Sequence, residues 1–361
     1  MNEAPAALAR ARHASAGNGE VCAALDLGTN NCRLLLATPH GRGFRVIDSY
    51  SRIVRLGEGL SQSGRLAASA MERALAALSV CAEKIHRRGA SRVRAVATEA
   101  CRTAANGAEF LAETKTRTGL SLKVISPKEE ARLAVAGCLN LIDPDAKAAL
   151  ILDVGGGSTE ISWLDLRKSR LELNPRRSAF WRPPLTAWLS IRLGVVTLAE
   201  RFPTAPDPDM AVYRAMVDVA KAEIRRFAGA NALQPVFESG GGHLIGTSGA
   251  ITSLAGLHLR LPRYDRAKVD GLWMVRADCE ATARRLAGLT VAERAAEPCV
   301  GPDRADLVLA GAAILQAVQE TWPCDRVRVA DRGLREGLLL SLMADDDTWR
   351  EPRRHNGRAR A

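Results

Sequence analysis

Leu25-Asp26-Leu27-Gly28-Thr29-Asn30-Asn31 and Leu152-Asp153-Val154-Gly155-Gly156-Gly157-Ser158 carry one pattern twice, apolar, Asp, apolar, Gly, small. Each copy is flanked by short apolar runs, 21–26 and 32–38 around the first, 148–153 and 159–164 around the second. Two such runs joined by a glycine turn predict a β-hairpin with polar atoms at its tip. Asp26 and Asp153 stand 127 residues apart, about one domain. The chain therefore reads as two related halves, each opening with a hairpin.

Working outward, 44–50 predicts a third strand, and apolar residues at helical spacing run from Leu66 to Arg88 and stop at Gly89. Strand 92–97, a helix at 107–118 capped by Asn106 and closed by Gly119, and strand 121–125 follow. Ser126-Pro127-Lys128-Glu129 reads as a capping box that starts a helix running to about Leu141. In the second half we expect helices at 207–229, 276–287 and 305–320, a Gly-rich stretch at 239–257, a strand at 326–330 and a last helix from Arg332 to about Met343. Alternating strands and helices indicate an α/β layer structure. The expected division is a disordered leader 1–20, a first domain 21–145, a second domain 146–345 and a basic disordered tail 346–361, with the helix 332–343 free to pack back on the first domain.

Composition narrows the function. The 361 residues are 47% hydrophobic and 25% charged, as in an ordinary globular protein. No apolar run approaches the ~18 residues of a membrane span, and the first twenty lack the apolar core of a signal peptide, so we expect a cytoplasmic protein with no membrane partner. The eight cysteines contain no C-x-x-C pair and read as buried small hydrophobes rather than a zinc site or nucleophile. A net charge of +11 favours anionic ligands, yet aromatic residues are only 4% and no nucleic-acid-binding spacing is present, so nucleic acid is not an expected partner. Residues 166–192 hold seven Arg or Lys against one Glu, together with Trp181 and Trp188. Arg167, Lys168, Arg170, Arg176, Arg177 and Arg182 there form either a solvated extension or an anion-binding groove.

An Asp at a strand end followed by a glycine turn has specific uses. Without a Cβ, glycine lets backbone N–H groups close on a phosphate, and hydroxyl or amide side chains add donors. Two such tips facing each other make a phosphate clamp from Gly28, Thr29, Asn30 and Asn31 on one side and Gly155, Gly156, Gly157 and Ser158 on the other. Aspartates beside them offer hard oxygen ligands to Mg²⁺. His243 follows three glycines with no Ser or Asp partner at triad spacing and reads as a loop histidine.

The turns resemble the phosphate-1 and phosphate-2 turns of the actin-like ATPase superfamily, and the full set of motifs resembles the exopolyphosphatase and guanosine pentaphosphate phosphohydrolase (Ppx/GppA) family. The carriers are ALDLGTNNCRLLL at 24–36, AVATEACRTAAN at 95–106, ISPKEEARLAVAG at 125–137, LDVGGGSTE at 152–160, SIRLGVVTLAERF at 190–202, GTSGAITSLAGL at 246–257 and DRGLREGLLL at 331–340. The resemblance implies two actin-like (ribonuclease H-like) domains of mixed sheet plus helices with an interdomain cleft. It implies hydrolysis of terminal phosphoanhydride bonds of polyphosphate or pppGpp with Mg²⁺, for which Mn²⁺ can substitute. Glu130 matches the family's general base, and Glu129, its neighbour, is expected to be occupied by the capping box. Arg102, on a loop after strand 92–97, matches a residue that faces the bound phosphate. Asp153, Glu160 and Asp26 match metal-holding positions, and Asn30, Asn31 and Arg33 match the first turn, with Thr29 and Asn31 in place of serines. Thr197 departs from a basic residue that many relatives have. Three readings stay beside polyphosphate hydrolysis: pppGpp hydrolysis, an actin-like small-molecule kinase, and a non-catalytic polyphosphate or alarmone sensor. Dimerisation is open, because the long C-terminal helical domain of many relatives is absent.

Overall fold

The computed structural model describes residues 20–40, 43–167, 185–202 and 209–344. Its strands are β1 (Cys22–Leu27), β2 (Asn31–His40), β3 (Gly43–Ile53), β4 (Arg92–Ala97), β5 (Lys123–Val124), β6 (Ala148–Val154), β7 (Thr159–Asp165), β8 (Ala187–Ile191), β9 (Gly242–Thr247), β10 (Trp273–Val275) and β11 (Arg326–Ala330). They form two sheets, ordered β3-β2-β1-β4-β5 and β10-β11-β9-β6-β7-β8. β1 runs antiparallel to β2 and parallel to β4, and β6 runs antiparallel to β7 and parallel to β9. The second sheet thus repeats the first, with β6, β7, β8, β9 and β11 in the places of β1 to β5, and adds β10 at one edge.

Both opening strands are continuous apolar runs because both faces of each are covered. All six residues of β1 are buried, as are all but Asp153 of β6. The last helix, Leu334–Ala344, returns to the first sheet, where Leu334, Leu338, Leu339 and Met343 share a core with Cys22 and Ala24 of β1, Leu35 of β2 and Leu133 of the helix Pro127–Cys138. These two helices touch backbone to backbone. A methyl on Gly137 would lie 2.1 Å from the Gly333 carbonyl oxygen, and one on Gly337 would lie 2.0 Å from that of Leu133. The halves are also bridged by side chains. Arg55 pairs with Asp306 across 2.9 Å, and the Gly59 N–H donates to Glu200 at 3.0 Å.

Several expectations need correction. Asn106 stands at the helix start but does not cap it; its side chain accepts from the Leu66 N–H (2.8 Å) and donates to the Leu66 carbonyl (3.1 Å), tying this helix start to the segment that leads into the helix Ala68–Arg87. The box at Ser126 is half made: its hydroxyl accepts from the Glu129 N–H, whereas the Glu129 carboxylate pairs with Arg94 at 2.6 Å, since an ion pair outweighs a neutral cap. The strand expected at 121–125 is two residues long, and the helix expected at 207–229 spans Met210–Arg225, with 203–208 outside the described residues. All eight cysteines are buried and none forms a disulfide among the described residues. Among the described residues no helix is long and apolar enough to cross a membrane.

The glycine seam is sensitive to one methyl group. Gly337→Ala should lower stability by about 1–3 kcal/mol, the usual cost of overpacking, seen as a lower urea midpoint. An unchanged midpoint would contradict the backbone contact described here.

Candidate active site

The two hairpin tips are one turn built twice. The Gly28 N–H donates to the Asn31 carbonyl, and the Gly155 N–H to the Ser158 carbonyl, each at 2.9 Å. In the ladders Asp26 lies opposite Arg33 and Asp153 opposite Glu160. Directly opposed residues share a sheet face, so each hairpin presents a pair of charged side chains just below its turn.

Space, and not backbone freedom, requires the three glycines, because none of Gly155, Gly156 and Gly157 has positive φ. A Cβ on Gly156 would come within 3.0 Å of Asn30 and Thr29, and one on Gly157 within 2.8 Å of the Thr29 Oγ1. Each turn is braced from behind. Val54 and Arg55 N–H groups donate to the Asn30 carbonyl (2.8 and 3.1 Å), and Gly57 N–H to that of Thr29 (2.9 Å). On the other side Val195 and Val196 N–H groups, at the start of the helix Val195–Arg201, donate to the carbonyls of Gly155 and Gly156 (2.9 and 2.8 Å). Thr197 belongs to this brace: its Oγ1 accepts from the Gly194 N–H at 2.8 Å, so the hydroxyl caps the helix.

Between the turns lies a cavity of about 460 Å³, lined also by Asp26, Arg33, Glu130, Asp153 and Glu160. Glu130 is 8% exposed, and burial, followed by the charge of Glu160, pushes its carboxyl well above the usual range. Burial and Asp26 push Asp153 up to about 7 against the opposing pull of Arg33. Glu160 also rises to about 7, through burial and Asp153, although the hydroxyls of Ser158 and Ser190 each donate to its Oε1 at 2.8 Å. Burial raises Asp26 too. Four carboxyls in one cavity repel, and the strain is relieved by protons or by a cation.

The donor set fits a hydrated divalent ion. Among the described residues no three acidic, His or Cys side chains converge into a ready-made cage. Yet Oδ1 of Asp26, Asn30 and Asn31 are buried oxygens without a hydrogen-bond partner. Mg²⁺ suits such a place, because it keeps several waters and takes only one or two carboxylates plus phosphate oxygens.

Arg102 differs from its expectation. It sits on the short helix Glu99–Thr103, is not among the cavity-lining residues, and holds Glu130 from behind. Its Nη1 donates to the Ile125 carbonyl (2.6 Å) and to Glu130 (3.3 Å), and its Nε to Glu99 (3.1 Å). Arg167 pairs with Asp165 at 2.8 Å, beyond the end of β7 remote from the turn, and does not line the cavity. Lys168, Arg170, Arg176, Arg177 and Arg182 lie outside the described residues. The cavity also includes residues to which the sequence reading gave no role. Thr247 stands opposite Asp153, Ser248 caps the helix Gly249–His258, and Arg304 and Arg335 reach in from distant segments.

With this geometry, the comparisons are specific. A model of the Ppx/GppA phosphatase family matches residues 36–346. The chain belongs to the Ppx/GppA phosphatase family. A Ppx/GppA relative, exopolyphosphatase 2 of Mycobacterium tuberculosis, is 30% identical over 338 residues, covering 89% of this chain and 98% of that protein. The guanosine-5'-triphosphate,3'-diphosphate pyrophosphatase of Aeromonas hydrophila is 27% identical over 91% of this chain, which spans 60% of its length. Among solved structures, the Aquifex aeolicus Ppx/GppA family member superposes with a TM-score of 0.70 at 27% identity, covering 90% of this chain and 98% of that one. An exopolyphosphatase-like protein gives 0.76 at 27% identity, covering 89% and 97%. The two sheets are thus the two actin-like α/β domains of Ppx/GppA proteins.

His243 takes no part in this cavity. It lies on β9, not in a loop, at the end remote from the turns. Its Nδ1 accepts from the Asp143 N–H (2.9 Å), its ring packs 4.8 Å from Trp273, and burial lowers its pKa to about 4. A folded pKa below the unfolded ~6.5 means stability is fully present above pH 6.5 and lost as pH falls toward 4, by about 3 kcal/mol. His243→Gln should flatten the stability profile between those pH values. An identical slope in the variant would contradict the burial of a neutral imidazole.

Proposed function

We propose that this chain is a cytoplasmic exopolyphosphatase that releases terminal orthophosphate from inorganic polyphosphate, with Mg²⁺ and with Mn²⁺ as a substitute. The observation that carries the reading is Glu130, a buried carboxyl held by Arg102 in the wall of a cavity closed by two phosphate-sized turns. The family and the mycobacterial relative supply the reaction class.

The terminal phosphoryl group is taken by backbone N–H groups and side chains of Gly28, Thr29, Asn30 and Asn31 and of Gly155, Gly156, Gly157 and Ser158, with Arg33 beside them. Asp26, Asp153 and Glu160 would hold the divalent ion, which supplies charge neutralisation on the phosphoryl oxygens. Glu130 orients a water and accepts its proton as the new P–O bond forms in line with the anhydride bond that breaks. Its raised pKa suits the task, since a carboxylate too weakly basic would hold the proton poorly. Arg102 acts through Glu130, fixing which oxygen faces the cavity. The remaining chain departs as a polyphosphate one residue shorter. The pyrophosphatase relative makes pppGpp the second substrate to test.

Glu130→Gln should retain fold and ligand binding while turnover falls about 10²–10⁴-fold, as for loss of a general base. Glu129→Gln should have little effect, because Glu129 faces Arg94 outside the cavity. Phosphate release from polyphosphate, pppGpp, and ATP with acceptors, each with Mg²⁺ and with excess chelator, checks both the base and the ion. Equal losses in the two variants, or full rate in chelator, would overturn the assignment.

A further inference from the structure

The cavity continues past the turns. From Arg33 it runs over the face of β2 and β3 that carries Leu35, Ser51 and Ser49, because Arg33 lies opposite Ser51 and Leu35 opposite Ser49. Both serines are exposed, so this arm opens to solvent at the edge strand β3. Its other wall is the start of the helix Leu334–Ala344, which contributes Leu334 and Arg335 to the lining.

Arg33 and Arg335 face this space together, and among the described residues neither guanidinium has a hydrogen bond or ion pair. Of the acids near Arg335, Glu336 and Asp331 are engaged elsewhere, which leaves Asp26, whose charge acts on both Arg33 and Arg335, as one carboxyl against two guanidinium groups. Glu336 accepts from the Gly333 N–H (2.8 Å) and from Arg266 (3.1 Å), and Asp331 accepts from the Tyr264 hydroxyl (2.7 Å) and lies 3.4 Å from Arg266. Two partly buried guanidinium groups without hydrogen-bonded partners among the described residues repel each other, and the single charge of Asp26 offsets only part of the cost of desolvating them. Each offers five N–H donors in a planar fork that matches phosphate oxygens, and the serine hydroxyls add two more. A site of this composition asks for an anion of more than one charge, continuous with one held at the turns.

We propose that Arg335, together with Arg33, Ser49 and Ser51, forms a subsite for the internal phosphoryl groups of a linear polyphosphate, so that the chain leaves the cleft over β2 and β3. The inference deepens the hydrolase reading and rests on it. Arg335 binds, and Arg33 joins the subsite to the first turn.

Equilibrium binding of tripolyphosphate and of orthophosphate, measured by calorimetry in the Glu130→Gln background so that nothing is consumed, tests the subsite. Adding Arg335→Gln should weaken tripolyphosphate roughly ten-fold or more, as expected for lost charge-assisted hydrogen bonds, and leave orthophosphate within about three-fold. Arg335→Lys should recover part of the loss, since it keeps charge without the fork. If Arg335→Gln does not fold, Ser51→Glu, at an exposed strand position, takes its place and should show the same selective loss. Unchanged tripolyphosphate binding, or equal losses for both ligands, would overturn the proposal. Failure of the hydrolase reading is separate: wild-type protein would then release no orthophosphate from any phosphoanhydride, whatever the binding comparison shows.

Discussion

Thr29 and Asn30 rest against the backbone of Gly156 and Gly157, with no room for a Cβ between the two halves of the chain. This contact sets the spacing of the cleft. The turns sit at equivalent corners of two sheets with the same strand order, so a displacement of either sheet would open or close the gap directly. The neighbouring segments work to prevent that. Residues 54–57 hold the carbonyls of the first turn, and Gly194 to Val196 hold those of the second, where a methyl on Gly194 would meet the Gly155 and Gly156 oxygens at 2.5 Å. With those carbonyls bound from behind, the approach of an anion to the turns meets less opposing dipole.

Electrostatics builds on that geometry. The cavity gathers carboxyls from β1, β6, β7 and the helix Pro127–Cys138, each pushed up by burial. A cluster of this kind is unfavourable alone and becomes favourable when a cation and a polyanion arrive together, since each offsets the repulsion the other would meet. The arginines divide into two roles. Arg102 is bound to Glu99 and Glu130 and positions a carboxylate, whereas Arg33 and Arg335 face the cavity with no hydrogen bond or ion pair among the described residues.

Much of this was legible in the sequence where short-range pattern decides structure. The repeated apolar-Asp-apolar-Gly unit located both turns, and the Ser-Pro start located the helix that carries Glu130, the residue the resemblance singles out. What escaped was long-range. Arg304 and Arg335 come from segments far along the chain from the turns, and Arg335 is carried to the cavity by the last helix, which follows β11 in the order β11-β9-β6 and which Gly137 and Gly337 let approach the first domain. Asn106 and Glu129 carried sound local cap signals, but partners 40 and 35 residues away, Leu66 and Arg94, won their side chains. Arg102 was placed on the phosphate by resemblance; its fork instead satisfies two carboxylates and a carbonyl, partners already within reach in the fold.

The central claim is that close contact between the turns organises the site, and a double-mutant cycle on orthophosphate release tests it most directly. In Gly157→Ala the new methyl meets Oγ1 and Cγ2 of Thr29, both of which Thr29→Ala removes. The account predicts that Gly157→Ala lowers kcat/KM about 10²-fold in the wild-type background and several-fold less in the Thr29→Ala background, a coupling characteristic of residues in contact. Equal losses in both backgrounds, or full activity of Gly157→Ala alone, would contradict it.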